Sequence, residues 1–514
     1  MTRIFSTPLR APRRKGLALA ALAAAALLAS LLTALPPALD AVPTASASER
    51  AAAHTSRPNI VLILTDDMRA DELRYLPAVR HLQRSGVTFT RAISADSLCC
   101  PARATLLTGK LAHNHLTIGN NTATHGGYHV FAEHNDVQDL LPQWLDDRAY
   151  RTGWIGKYLN DFGGSRHFDQ PDWTYFASPV QDVYDYWSNG FAINGHFHVA
   201  HGYREVYTRQ LLLSRIKAWS RGWRPFFLVD STIAPHKQRK GGGRFRAPGV
   251  QNAARQGGRP ALRVSPSVGE TDLTDKPAWL QEYAARPTTP KIYPRTFERK
   301  RVQALQSVNK TVKRVVETLR EQHELKSTVL IFTSDNGFML REHDLTDKNK
   351  AYEESVHVPL VIRGPGFSGG RRADQTVSLA DLTATFRRLA GVRRSHGADG
   401  VPLQEVLAQP ASFARRPIEI EGSAAQYPDM GSLGTDSIGR FYSGVVWGPY
   451  SLVHYQTGDW EFYDRTVDPW QMDNSYSSDP GPGSAQELLQ TWYAAHLDCR
   501  GAACNDRIPL SPTG

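Results

Sequence analysis

The chain has 514 residues, 41% of them hydrophobic and 21% charged, enough to bury a large core. That length accommodates two to three domains, or one large α/β unit with a smaller module. Sixty Lys/Arg against 50 Asp/Glu give a formal charge of +10, but the basic residues are too diffuse for a nucleic-acid interface.

The first 47 residues read as a leader. Arg10, Arg13, Arg14 and Lys15 form a cationic start, an Ala/Leu-rich run follows to about Leu35, and Ala45-Ser46-Ala47 offers small residues for cleavage. The run is nearly long enough to span a bilayer. Its alanine content, Pro36-Pro37 and the small-residue exit favour removal, so no stable membrane span is expected afterwards. Arg13-Arg14 hints at twin-arginine export, although the flanking residues match that pattern poorly. Cleavage after Ala47 removes five Lys/Arg and one Asp and leaves 55 against 49, a net +6. A mildly basic, exported protein suits an anionic substrate and is equally ordinary. Residues 48–56 read as a linker.

Asn59–Leu64, a continuous β-branched and leucine run, predicts a buried parallel strand ending in Thr65-Asp66-Asp67. A helix near Val206–Trp219 leads into the strand Phe226–Val229. Residues 237–300 are rich in Gly, Pro, Arg and Lys with little periodicity. Lys237, Arg239, Lys240, Arg244 and Arg246 crowd around Gly241-Gly242-Gly243, as a solvated surface loop does. Val302, Leu305, Val308, Val312, Val315, Val316 and Leu319 recur at helical spacing, with Lys and Arg between. The strand Thr328–Thr333 follows and ends in Ser334-Asp335-Asn336-Gly337. Helices alternating with apolar strands predict an α/β fold with a mostly parallel sheet over 57–410. In such sheets ligands bind beyond the carboxyl ends of the strands, where both acidic pairs fall. From about residue 411 the stretches Phe441–Trp447 and Tyr450–Tyr455 read as antiparallel hairpins, followed by a helix over Ala485–His496. Residues 411–514 therefore form a small α+β subdomain.

Asp66-Asp67 and Asp335-Asn336 follow two separate buried strands and can converge on one hard cation through oxygen ligands. Such a set favours Ca²⁺ or Mg²⁺ over zinc, while either pair alone is equally a cap or a turn. Four cysteines are present. In an oxidising compartment Cys499 and Cys504 close a short loop. Cys99 and Cys100 are adjacent and pair with each other only under strain. Cys99 precedes a predicted helix start with Arg103 nearby, so it is either a nucleophile or a buried thiol.

Cys99-Cys100-Pro101-Ala102-Arg103 followed by Leu107-Thr108-Gly109 resembles the signature of the formylglycine-dependent sulfatases, of the alkaline-phosphatase-like superfamily. The resemblance implies an α/β/α sandwich and a formylglycine made from Cys99 by a formylglycine-generating enzyme, with Arg103 holding it in place. It implies Asp66, Asp67, Asp335, Asn336 and the modified Cys99 as Ca²⁺ ligands (Mg²⁺ being the alternative). Gly156-Lys157-Tyr158-Leu159-Asn160 and Lys348-x-x-x-Tyr352-Glu353 match the segments bearing the sulfate lysines Lys157 and Lys348. Ala234-Pro235-His236 matches the one bearing the catalytic histidine, His236. Glu461-Phe462-Tyr463-Asp464 with Asp468-Pro469 is similar to the family's C-terminal hairpin. The implied activity is hydrolysis of sulfate monoesters on a sulfated carbohydrate or an aryl sulfate by a secreted or cell-surface enzyme. In that setting the cationic loop after His236 is a candidate rim for a sulfated polymer.

Leu159 departs from the pattern, since many sulfatases carry histidine there. The Gly-Lys-Tyr-Leu-Asn form is similar to the N-acetylglucosamine-6-sulfatase branch, as are Lys110 with His113-Asn114-His115, the Asp275–Trp279 string and the Cys499/Cys504 tail. A 6-O-sulfated N-acetylglucosamine unit is thus the implied substrate. The alternatives are a phosphate or phosphonate ester hydrolase of the same superfamily, or a surface protein that binds sulfated glycans without turnover.

Overall fold

The computed structural model describes residues 57–163, 172–239, 245–251, 264–285, 295–394, 396–424 and 434–509. The expected leader and linker, and Lys240 to Arg244 of the cationic loop, lie outside them. No helix among the described residues is long and apolar enough to cross a membrane.

A ten-stranded sheet carries the larger part of the chain. Its strands are β1 (Asn59–Asp66), β2 (Val87–Ile93), β3 (Arg151–Gly156), β4 (Tyr175–Gln181), β5 (Ser188–Ile193), β6 (His196–His201), β7 (Phe226–Pro235), β8 (Thr328–Ser334), β11 (His357–Arg363) and β12 (Arg371–Ser378). A short antiparallel pair, β9 (Met339–Leu340) and β10 (Thr346–Asp347), lies between β8 and β11 in sequence. The spatial order is β12-β2-β11-β8-β1-β7-β3-β4-β5-β6. From β8 to β4 all neighbours are parallel, with β1 central between β8 and β7. Strand β11 runs antiparallel to both β8 and β2, and β4-β5-β6 closes the far side as an antiparallel meander.

Strand β1 shows why the sandwich has three layers. Its side chains alternate, so Ile60, Leu62 and Leu64 join one core and Val61 and Ile63 the other. The first core takes in the helices Cys99–Thr108 and Leu379–Ala390. The second takes in Pro77–Ser85, Arg204–Trp219 and Arg295–Glu321. Burying each such aliphatic side chain is worth about 1.5–3 kcal/mol, which is why a strand apolar on both faces is covered on both. The alternation of helices and strands predicts the mostly parallel α/β fold, and the resemblance implies the α/β/α sandwich; both are found here.

A separate four-stranded antiparallel sheet is built from β13 (Ile418–Ser423), β14 (Arg440–Trp447), β15 (Tyr450–Tyr455) and β16 (Trp460–Asp464). The helix Ala485–His496 packs its Leu489, Trp492 and Tyr493 against Val445, Leu452 and Phe462 of that sheet. Glu461, buried on β16, accepts hydroxyl hydrogen bonds from Tyr352 (2.6 Å), Tyr455 (2.5 Å) and Tyr463 (2.7 Å). The tyrosines and the acid of the hairpin motif are therefore a satisfied structural knot. Lys276 plays a similar part, pairing with Asp275 at 3.0 Å and donating to the Gln471 carbonyl at 3.1 Å. Cys499 and Cys504 form a disulfide, as their spacing and an exported context predict.

Candidate active site

The carboxyl ends of β1 and β8 adjoin, because Thr65 pairs with Ser334 in parallel register. The two acidic pairs therefore meet despite lying far apart in sequence. The Asp335 N–H donates to the Thr65 carbonyl at 3.0 Å, and the Asp67 N–H to Asp335 Oδ1 at 3.2 Å. Asp67 sits at φ 71°, a left-handed backbone that L-residues avoid except for Asn and Asp. Arg301 holds that turn: its guanidinium donates to the Asp67 carbonyl at 2.5 Å and twice to Glu72, at 2.9 and 2.8 Å.

Cys99 opens the helix Cys99–Thr108, all of whose residues are buried, so the segment shows little amphipathic pattern. Pro101 is tolerated in the first turn, and Gly109 ends the helix in the left-handed region at φ 74°. The Cys99 thiol donates to Asp66 Oδ1 at 3.2 Å and receives Lys348 Nζ at 2.7 Å. Burial and the Asp66 carboxylate push it well above the ordinary thiol range, so as a plain thiol it is a poor nucleophile. Cys100 turns into the core and is pushed up to about 12 by burial.

Arg103, fully buried, binds Asp335 at 2.9 Å, the Lys157 carbonyl at 2.7 Å and Ser231 at 2.6 Å. Lys157 follows Gly156, whose φ of 106° brings it so close to Ser231 that a Cβ would lie 1.9 Å from the Ser231 carbonyl oxygen. Only glycine fits there, and the Lys157 ammonium is thereby led to Asp66 Oδ2 at 2.7 Å. Lys348 completes the cations, paired with Asp67. Burial by itself would raise Asp66, but Lys157, His236, Lys348 and Arg103 together hold it well below the usual carboxylate range. Asp335 is instead pushed up to about 6, by burial and by Asp66.

His236 follows β7 and places Nε2 3.6 Å from Asp67 Oδ2, while its Nδ1 lies 2.6 Å from the Lys237 carbonyl. Burial pushes it down to about 4, against the pull of Asp67 and Asp66. The residues to which the resemblance assigns catalysis or metal binding thus lie in one buried cluster: Asp66, Asp67, Cys99, Arg103, Lys157, His236, Asp335, Asn336 and Lys348. Two members that sequence reasoning missed are Arg301, above, and Tyr184. The Tyr184 ring stacks on His236 at 4.2 Å between centroids and 16° between planes, and Lys157 Nζ lies 4.9 Å from its centre.

The cluster fits a hard divalent cation. Ligand atoms of Asp66, Asp67, Cys99 and His236 lie within 4.8 Å of one another. The buried oxygens Asp67 Oδ2 and Asn336 Oδ1 have no hydrogen-bond donor among the described residues. Unmet buried acceptors beside further carboxylates could hold such an ion.

His113 and His115 are not in this cluster. His113 is bound by Glu421 at 3.1 Å and the Cys499 carbonyl at 2.8 Å, and His115 by Thr105 at 3.2 Å. Lys237 pairs with Asp347, beside Lys348.

A parallel α/β/α sandwich with this acid and cation cluster beyond its strand ends defines an alkaline-phosphatase-like hydrolase. Comparison with known proteins narrows the class. Residues 58–392 match the family described as Sulfatase, and 341–492 match one described as N-sulphoglucosamine sulphohydrolase, C-terminal. The chain belongs to the sulfatase family and is a sulfuric ester hydrolase. It is 27% identical to an arylsulfatase of Volvox carteri over 89% of this chain and 77% of that one. It is 30% identical to the Homo sapiens N-acetylglucosamine-6-sulfatase over 74% of this chain and 70% of that one. A solved structure described as a complex with its substrate D-glucosamine-2-N,6-O-disulfate shares the fold. It has a TM-score of 0.65, 22% identity, and coverage of 85% and 97% of the two chains.

Proposed function

We propose that this sulfatase is an exported, Ca²⁺-dependent enzyme. It hydrolyses a sulfate monoester on a sugar, 6-O-sulfated N-acetylglucosamine, through a formylglycine made from Cys99. The observation that carries the reading is the buried convergence of Asp66, Asp67, Asp335 and Asn336 with Cys99 and three cations, in a chain of this family. Likeness to the human N-acetylglucosamine-6-sulfatase supports the sugar, and the charged, apolar, small-residue leader supports export. Residues 57–410 would be the catalytic domain and 411–514 its C-terminal subdomain.

Asp66, Asp67, Asp335, Asn336 and residue 99 would hold the cation, which when bound offsets the charge of the sulfate oxygens. Formylglycine supplies, as its hydrate, two hydroxyls on one carbon, one to take the sulfuryl group and the other to release sulfate and restore the aldehyde. Arg103 fixes Asp335 and the Lys157 main chain, so its role is positional. Lys157 and Lys348 receive sulfate oxygens in a dry site where their charge counts for more than in water. His236 gives a proton to the leaving alcohol. Nδ1 keeps its N–H toward the Lys237 carbonyl, so the proton given is the one that Nε2 carries once the ring is imidazolium. An arriving sulfate anion favours the imidazolium and lifts His236 from its depressed value. Positioned general-acid help of this kind is worth about 10²–10⁴-fold.

Cys99 has no exposed surface in the folded chain. Its oxidation by a formylglycine-generating enzyme therefore precedes folding, on the nascent or unfolded chain. The test is to weigh the tryptic peptide Ala92–Arg103 of the secreted protein. Exchange of sulfur and two hydrogens for one oxygen at Cys99 supports the mechanism. Protein active on sulfate esters with both thiols intact would falsify it. Faster turnover of an aryl phosphate diester than of any sulfate ester would move the substrate class.

A further inference from the structure

Beside Lys157 opens a cavity of about 320 Å³, at the lower end of the ~300–1,000 Å³ common for ligand pockets. Its polar lining is Lys157, Asn160, Asp161, Asp182, Tyr184 and Arg239; the rest is apolar, Leu159 included. Tyr184 is the wall it shares with the reaction centre. One ring stacks on His236 and lies under Lys157, and the Tyr184 carbonyl accepts from the Arg239 N–H at 3.0 Å. His236 does not line the cavity, but Lys157 and Tyr184 border both it and the reaction centre, so the cavity adjoins the place where a sulfate ester would be held.

The lining tells what that half is. Asn160 Nδ2 donates to the Tyr184 hydroxyl at 3.0 Å, which leaves Asn160 Oδ1 without a donor among the described residues. Asp161 and Asp182 are both exposed at the rim, at φ 59° and 47°, in turns that few side chains other than Asn and Asp accept. Carboxylates and an amide oxygen only accept hydrogen bonds. A plain aryl group brings no hydrogen-bond donors to this rim, whereas a ring bearing several hydroxyls does.

We propose that this cavity is the subsite for the alcohol half of the ester, and that Asp161 and Asp182 select a polyhydroxylic ring there by accepting from its hydroxyls. The inference rests on the sulfatase reading above and adds to it the residues that set specificity.

The test uses the full-length secreted enzyme and its Asp161→Asn and Asp182→Asn variants, which keep shape at exposed positions and lose the charge. We would measure kcat/KM on 6-O-sulfated N-acetylglucosamine and on 4-nitrophenyl sulfate. Losing a charge-assisted hydrogen bond should lower the sugar-to-aryl ratio by roughly 10- to 100-fold, mainly through KM. A ratio unchanged within about twofold in both variants overturns the subsite while leaving the sulfatase reading intact. Wild-type enzyme that turns over neither compound overturns the proposed substrate, and the subsite with it.

Discussion

Replacing Arg301 with methionine should expose how the turn at Asp67 is held. The Arg301 guanidinium is fully buried, lies 4.5 Å above the Phe338 ring, and makes two hydrogen bonds to Glu72 and one to the Asp67 carbonyl. Methionine keeps much of the packing but strands the Glu72 carboxylate, 4% exposed, with the Arg69 N–H at 3.0 Å as its remaining close donor. Breaking one side of a buried ion pair costs about 3–5 kcal/mol. The left-handed backbone at Asp67, itself worth about 1–2 kcal/mol of strain, then also loses its clamp. Urea unfolding followed by tryptophan fluorescence would measure the loss. The double variant Arg301→Met with Glu72→Met removes both charges and should cost less than Arg301→Met alone. A single-variant loss below about 1 kcal/mol, or a double-variant loss equal to the sum of the singles, would refute the argument.

Stability should fall as pH rises from about 6.5 to about 10. Burial by itself would lower His113, but Glu421 and Glu419 outweigh it and raise it to about 10. A histidine raised in the folded state contributes fully below its unfolded pKa and loses that contribution as pH climbs through the folded one. His113→Gln should flatten the pH dependence of the urea midpoint in that window; an unchanged slope contradicts the assignment. Prolonged chelation should lower both the melting temperature and turnover, turnover by on the order of 100-fold or more. Added Ca²⁺ should restore both, and a chelated enzyme with unaltered melting and activity would remove the cation from the reading.

The motifs were legible because strand ends and functional groups coincide. Asn59–Leu64 and Thr328–Thr333 read as buried strands, and they are β1 and β8 with the acids at their tips. The helix Ala485–His496 and the hairpin strands β14 and β15 also lie where the pattern placed them. Arg301 was not legible, since it precedes Val302 in an amphipathic helix whose basic residues read as solvent-facing, and only tertiary packing turns it inward. Tyr184 was hidden for a related reason. It lies between β4 and β5, where no strand was read, because Tyr175–Gln181 and Ser188–Ile193 alternate weakly. Strand β7 continues to Pro235, well past the apolar Phe226–Val229, because Asp230, Ser231 and Thr232 are buried there too.

The parallel register of β1 and β8 also sets a timetable. Asp67 and Asp335 stand 268 residues apart, yet their contact requires the two strands to be neighbours. Closing so long a loop comes late among the contacts of a folding chain, after local helices and hairpins have formed. A cation that binds all four acidic-pair side chains can therefore join only a chain whose sheet centre is already assembled. Its affinity would report completed folding, and such a cation would act as a lock on the finished molecule rather than as a seed for it.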